Sequence, residues 1–228
     1  MGGHSYDLAQ VLGDLAVEMQ NQNDTEATLG AIVSGAVAIV PGARWAGVSL
    51  IEGRTIHPRV PSDPIAAKLD TLQTELDEGP CLSALREHRT VLIDDMATET
   101  RWPRFCQAAI DIGARSLLTF QLYVVQQNLG ALNLYGSDAG VFAEDSVLVG
   151  EIVAQHASVA LIGAAAQDQF GAALHSRDVI GQAKGIIMER FKLNATAAFS
   201  LLTRLSQESN TKLVDIAQQV VATVDPGN

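Results

Sequence analysis

Cysteine is nearly absent: the chain of 228 residues holds only two, Cys81 and Cys106. Two thiols do not make a disulfide scaffold, and their spacing matches no zinc motif. A reducing cytoplasm is therefore the expected setting. Aromatic residues are scarce at 5%, and charged residues reach only 18%. No uninterrupted apolar run approaches the roughly 18 residues of a membrane span, so none is expected. Met1 to Met19 carries Asp7, Asp14 and Glu18, not the basic start and apolar centre of a secretory signal. Enzyme signatures are missing as well. There is no phosphate-binding G-x-x-x-x-G-K-[ST], no Gly-rich dinucleotide fingerprint and no H-E-x-x-H. His4, His57, His88, His156 and His175 fall in five separate places, and spacing nominates no nucleophile–base pair. No enzyme, metal or cofactor is expected.

What is present is apolar: 47% of the residues, enough for a real core. The length suits one medium domain and one small one. Net charge is -11, which argues against indiscriminate binding to polyanions or anionic membrane. The average hides a split. Residues 1–169 hold 9 Lys/Arg against 21 Asp/Glu, whereas residues 170–228 hold 6 against 5. A nucleic-acid site is tenable only in the tail.

Periodicity in the front part alternates between helix and strand. Leu8, Val11, Leu12, Leu15 and Met19 recur at helical spacing, and Glu26–Val40 makes a second helix stopped by Pro41-Gly42. Trp45–Ile51 is a strand, with Thr55–Val60 returning beside it. Helices are expected over Ile65–Leu76, Cys81–Arg86 and Phe105–Ile112, and a short strand over Thr90–Ile93. Ser116–Val125 and Leu129–Tyr135 form an antiparallel hairpin around the turn Gln126–Asn128. The expectation is α+β, an antiparallel sheet with helices to one side.

Three features in this part invite a functional reading, and each has a plainer one. Cys81 follows Gly79-Pro80 at a helix start, where a thiol can be activated; a buried structural thiol is the expectation. Asp94-Asp95 suits a cation or a solvated loop, and the loop is expected. Trp45 and Trp102 read as core or interface anchors before ligand-stacking groups.

From Glu144 a long helix runs. Val149, Val153, His156, Ala160, Gly163, Gln167, Phe170 and Leu174 alternate by four and three, as in a helix–helix seam. Such a helix either joins two subunits or covers the sheet, and Gln167–Phe170 is a candidate break. Three helical pieces follow: Ser176–Phe191, Ala195–Ser206 with Asn194 as N-cap, and Lys212–Val224 capped by Asn210 or Thr211. Their apolar faces are Ile180, Ala183, Ile187 and Phe191; Ala198, Leu201, Leu202 and Leu205; and Leu213, Ile216, Ala217, Val220 and Val224. Together they make one small core that needs support.

At about 100° per residue, Lys184 lies about 40° and Arg177 about 60° from Ile180, sharing one edge of the first stripe. Gly181 and Gly185 lie beside that edge. Each costs helix stability, which implies close approach by another helix or an RNA chain. Arg190, Lys192, Arg204 and Lys212 add cations around the bundle. Basic groups on phosphates and apolar groups on unstacked bases are the usual means of RNA recognition. Ordinary surface charge, with glycines for helix packing, is the alternative.

The segment HSRDVIGQAKGIIMERFKLNATAAFSLLTRLSQESNTKLVDIAQQVV, residues 175–221, closely resembles the ANTAR domain, the RNA-binding output of bacterial antitermination regulators. The match runs through Ser176-Arg177-Asp178, Gln182-Ala183-Lys184-Gly185, Met188, Ala198-Phe199, Leu205-Ser206-Gln207, Asn210, Lys212-Leu213, Asp215 and Ala217. It departs at Thr211, where many relatives are basic, and at Ala197, where an acid is common. The resemblance implies a three-helix bundle that binds paired hairpins in leader transcripts. It nominates Arg177, Ala183, Lys184, Gly185, Arg190, Lys192, Arg204 and Lys212 for RNA. GPCLSALREHRTVLIDDMATETRWPRF (79–105), LGALNLYG (129–136) and Phe142 resemble a GAF domain of the actinobacterial type joined to ANTAR. No cyclic-nucleotide signature or bilin cysteine accompanies it, so any small-molecule ligand in its pocket is unidentified. The domains implied are 1–165, a GAF-like sensory and dimerising domain, and 166–228, an ANTAR bundle. The partners implied are hairpin RNA, a second copy of the chain and an upstream signalling protein, with no DNA and no membrane. The competing reading is a protein-interaction and dimerisation module that senses a small molecule and has no direct RNA role.

Overall fold

The computed structural model describes residues 3–53, 55–87, 90–125 and 127–224. His88 and Gln126, read above as an isolated histidine and part of a turn, lie outside the described residues. The chain divides into two compact units, Met1–Ala165 and Ala166–Asn228.

The first unit runs α1 (Gly3–Gln20), α2 (Thr25–Ile39), β1 (Trp45–Glu52), β2 (Thr55–Arg59), α3 (Pro64–Leu76), α4 (Pro80–Glu87), β3 (Val91–Ile93), α5 (Pro103–Ile112), β4 (Ser116–Val124) and β5 (Gln127–Gly136), then enters α6 (Glu144–Phe191). Local chemistry sets the helix ends. The Asp24 carboxylate accepts the Ala27 N–H at 2.8 Å, and Asp63 accepts that of Ile65 at 2.8 Å ahead of Pro64; both satisfy donors that a helix start leaves free.

The strands form one sheet in the order β2-β1-β5-β4-β3, every neighbouring pair antiparallel. Because strand side chains alternate between faces, two different surfaces result. Ala46, Val48, Leu118, Phe120, Leu122, Leu132 and Leu134 form an apolar face against Leu12 and Leu15 of α1, Leu29 and Ile32 of α2, and Val149, Val153 and Ala157 of α6. The helix comes so close that a Cβ on Gly150 would stand 2.3 Å from the Phe120 ring. The other face carries Trp45, Leu117 and Tyr135 against Leu69 of α3 and Phe105 and Ala109 of α5. Helices therefore cover both faces, not one as the sequence pattern implied. The second row includes Ser49, Thr119 and Asn133, all buried, and polar residues conceal a buried face from a hydrophobic count. Trp45 and Trp102 pack in or against this second core, as expected of anchors.

Of the two readings of the α6 heptad, the sheet-covering one holds for its first half. Val149, Val153, Ala157, Ala160, Leu161 and Ala164 are buried, while His156, Gly163, Gln167, Phe170 and Leu174 are exposed. In its first half the buried stripe runs through Ala157 and Ala164, one position beyond His156 and Gly163, and covers the sheet. The helix also continues through Gln167–Phe170 without a break. By length and composition alone α6 is apolar enough to cross a membrane, but half of its most apolar stretch is buried inside the protein, as in a core helix.

The second unit contains the end of α6, α7 (Ala195–Ser209) and α8 (Leu213–Ala222). Val179, Ala183, Ile187, Ala198, Leu202, Ile216 and Ala217 form its core. Phe191 does not join it, being 59% exposed. The stripe on α6 centres on Ala183, with Val179 and Ile187 to either side, instead of running down to Phe191. Asn194 caps α7 as expected, accepting the Ala197 N–H at 2.9 Å. The expected cap of α8 is different. Asn210 instead ends α7 in the left-handed conformation at φ 50°, which asparagine tolerates better than most residues. The N-cap position of α8 is Lys212, which makes no side-chain cap.

Candidate nucleic-acid interface and the polar core of the sheet domain

The polar interior of the first unit lies between α3, α4 and the second sheet face. Asp70 is 1% exposed. Its Oδ1 accepts the Tyr135 hydroxyl at 2.7 Å and the Asn133 amide at 2.8 Å. Gln73 donates to Tyr135 Oη at 3.0 Å and accepts the Cys81 N–H at 2.9 Å, while Thr119 donates to Asn133 Oδ1 at 3.0 Å. Asp70 Oδ2 has no hydrogen-bond partner among the described residues. It lies against β1, where a Cβ on Gly47 would stand 1.9 Å from it.

Burial pushes the Asp70 carboxyl up to about 6, against the pull of its bonds from Tyr135 and Asn133. Burial, followed by the Asp70 charge, pushes the Cys81 thiol up to about 12. A thiol that stays protonated is a poor nucleophile, so Cys81 is a structural residue. A cavity of about 330 Å³ borders this interior, between Arg59 and Val60 on one side and Ala67, Asp70 and Thr71 on the other. A second, of about 270 Å³, lies between β4 and α6 with Gln121, Glu151 and Ser158 in its wall.

Asp95 lies in the loop after β3, as expected, and is held in place there. Its carboxylate accepts the Ala97 N–H at 3.0 Å and pairs with Arg115 at 3.0 Å. The first of these, then the second, holds its pKa below the usual carboxylate range. Among the described residues no group of His, Cys, Asp and Glu is arranged to hold a metal.

In the second unit the nominated residues do not form one cluster. Arg177 and Gly185 are exposed and Lys184 is half-buried. Arg177 and Lys184 stand two turns apart on α6, about 10.5 Å along its axis. Ala183 is fully buried in the bundle core, so it holds the helix in place and does not meet RNA; this corrects its nomination as a contact. Arg190 donates to the Thr223 hydroxyl at 3.3 Å, and Lys192 pairs with Glu189 one turn earlier. Arg204 stands 3.8 Å from Glu208. Lys212 is exposed at the start of α8. Among the described residues no carboxylate pairs with Arg177, Lys184 or Lys212. These three cations are the least neutralised of the six.

The sequence missed the polar interior. Asp70, Gln73, Cys81, Asn133 and Tyr135 are scattered along 65 residues. Only the packing of α3 and α4 on the second sheet face, where β5 presents Asn133 and Tyr135, brings the set together.

Comparison with solved structures places the first unit in a known class. A free methionine-R-sulfoxide reductase from Neisseria meningitidis, solved with its substrate, aligns with a TM-score of 0.55 at 16% identity, over 72% of this chain and 93% of that one. The GAF domain of an Acinetobacter phosphoenolpyruvate-protein phosphotransferase aligns with a TM-score of 0.57 at 14% identity, over 73% and 97%. CepR2, an N-acylhomoserine lactone dependent LuxR family factor from Burkholderia cenocepacia, aligns with a TM-score of 0.57 at 18% identity, over 71% and 99%. At these identities the likeness is one of fold. The sequence matches no curated protein. Family models are specific: the GAF domain model matches residues 22–162 and the ANTAR domain model residues 168–221. The five-stranded sheet with its flanking helices is thus a GAF domain. The chain belongs to the family of regulatory proteins that join a GAF domain to an ANTAR domain. ANTAR domains are RNA-binding antitermination modules and GAF domains are sensory; both are regulatory domains.

Proposed function

We propose that this protein acts in the cytoplasm as a homodimer that binds paired hairpins in leader transcripts, so that RNA polymerase reads through. The observation that carries the reading is the edge of α6 where Arg177 and Lys184 project without a carboxylate partner, in a unit whose surroundings are otherwise close to neutral. Lys212, exposed at the start of α8, is a further cation of the unit without a carboxylate partner among the described residues, and Gly185 leaves backbone open beside Lys184. Arg190, Lys192 and Arg204 contribute charge at longer range, partly spent on Thr223, Glu189 and Glu208. Two modest contacts per RNA, one from each subunit, reinforce each other through effective concentration.

The GAF domain supplies control. The cavities beside Asp70 and between β4 and α6 are its candidate ligand sites, and an upstream signalling protein is the other source of input. α6 begins on the GAF core and ends in the ANTAR core, so a signal has a direct covalent route.

The test is a titration of the full-length protein with a labelled two-hairpin RNA and a scrambled RNA of equal length. The two-hairpin RNA should bind at least tenfold tighter. Lys184→Ala should weaken it by about 1.5–3 kcal/mol, the usual worth of a hydrogen bond to a charged group, and lower the salt slope by about 0.7–0.9. Equal affinity of the variant, with unchanged salt dependence, refutes the assignment of Lys184.

A further inference from the structure

The cavity of about 330 Å³ beside Asp70 has one wall along the end of β2, at Pro58, Val60 and Pro61, and the other on α3, at Ala67, Asp70 and Thr71. We infer that it binds a protonated primary amine carried on a short apolar chain, whose ammonium group donates to the Asp70 carboxylate. The inference rests on the sensory reading of the GAF domain above and names the class of ligand that the reading left open. It makes no use of the RNA site.

Four observations carry it. The first is the state of Asp70. Its Oδ1 is engaged by the Tyr135 hydroxyl and the Asn133 amide, both neutral donors. Its Oδ2 is buried with no hydrogen-bond partner among the described residues. A buried carboxylate oxygen calls for a donor, and best for a cationic one. The second is access. Oδ2 lies against Gly47 of β1, where a Cβ would stand 1.9 Å from it. Gly47 and Ser49 alternate onto the same sheet face, and Ser49 pairs directly with Pro58 of β2. The wall at Pro58, the bare Gly47 and the unpartnered oxygen therefore share one face of the sheet, under α3. The third is charge. Arg59 is the one cation among the described residues lining the cavity, and Glu26 and Glu52 both pair with it, the latter at 2.6 Å. With Asp70, carboxylates outnumber the cation three to one, a field that draws in a cation and repels an anion. Lys68 is exposed on α3 and lines a different hollow beside Glu75. The fourth is the remaining surface. Pro58, Val60, Pro61 and Ala67 offer carbon, and Thr71 spends its hydroxyl on the Ala67 carbonyl at 2.8 Å. A hard metal ion takes about six oxygens or more, and these side chains supply one uncommitted oxygen. An organic cation suits them better. The volume is near the lower end for ligand pockets, which keeps the chain short.

The test is a calorimetric titration of the full-length protein at constant ionic strength with n-butylammonium, with 1-butanol as the neutral counterpart and sodium chloride as the plain cation. At pH 8 the amine is protonated and Asp70, at about 6, is ionised. Butylammonium should bind at least tenfold more tightly than butanol or sodium, as expected of a hydrogen bond to a charged group. From methyl- to hexylammonium, affinity should rise about fourfold per methylene until the cavity is full, and then level off. Asp70→Asn should bind butylammonium at least tenfold more weakly and no longer distinguish it from butanol. Ala67→Leu fills the cavity from α3 and leaves the carboxylate in place. It should lose the longer amines and keep methylammonium, with its melting midpoint as the check on folding. Equal binding of butylammonium by the wild type and Asp70→Asn overturns the proposal, and so does a wild type that shows no saturable binding. Sodium bound as tightly as butylammonium assigns the site to an inorganic cation and overturns it too. In each of these cases the cavity between β4 and α6 is left as the sensory site, so the sensory reading falls only if that cavity also proves inert.

Discussion

Asp70 puts the energetics of the GAF core to a direct test. Its carboxyl titrates at about 6 in the folded protein, against 3.8 for the free group, because its Oδ2 is buried without a partner. The two values differ by about 2 pH units, worth about 3 kcal/mol at 1.36 kcal/mol per unit. The folded pKa is the higher one. Folding stability from this group is therefore fully present below about pH 4 and is lost as pH rises through 6. Above that, the domain carries a buried anion that it holds at a cost of about 3 kcal/mol relative to the protonated state. Asp70→Asn keeps the shape and removes the titration. It also buries an amide N–H beside Gly47, a fixed cost of about 1–3 kcal/mol that is the same at every pH. The quantity to measure is thus the change with pH. Urea unfolding would be followed by tryptophan fluorescence between pH 4 and 8. Trp45 and Trp102 both lie in the GAF unit, so the signal reports that unit alone. Glu78, Asp95 and Glu99, whose pKa values are lowered by bonds to arginine and backbone N–H groups, pull the other way in both proteins and cancel in the difference. The wild type should lose about 3 kcal/mol more than Asp70→Asn across this range. Parallel pH profiles would show that Tyr135 and Asn133 fully solvate the carboxylate, and the reasoning from burial would fail.

Gly47→Ala should destabilise the GAF domain by about 1–3 kcal/mol in the same assay, because its Cβ would collide with Asp70 Oδ2; a neutral result would mean that α3 shifts freely. Asn194→Ala should cost the ANTAR bundle about 1 kcal/mol through the lost α7 cap, read as a lower melting transition of a fragment-independent probe such as amide exchange in α7. Native Cys81, protonated up to about pH 12 and 2% exposed, should resist a thiol reagent at pH 8 until the protein is unfolded; prompt labelling would contradict its burial.

The two modules differ in how much of them was legible. In the ANTAR bundle the core contacts are between helices adjacent in sequence, and most of the apolar face positions were readable from 3.6-residue spacing. The errors there came from angle. A stripe centred on Ile180 instead of Ala183 made Phe191 a core residue; Ala183 was rightly placed on the apolar face, and only the family motif nominated it for RNA. The GAF domain was readable strand by strand, because alternation survives in β1, β4 and β5. Its second face was not, since Ser49, Thr119 and Asn133 are polar and look exposed in a pattern of hydrophobicity. For α6 the heptad was real, but a spacing of four and three does not say which neighbour fills it. His156 and Ala157 are adjacent, and the sheet took the second.

By itself the sequence determined the order and type of elements, the charge split, the helix cap at Asn194 and the motif residues that mark the family, because each depends on neighbours a few positions away. Only the tertiary structure decided that helices cover both faces of the sheet, that Asp70 shares one buried network with Tyr135 and Asn133, that α6 continues unbroken, and which cations keep their charge free. Those outcomes depend on burial and on partners distant in the chain, and neither quantity is written in local spacing.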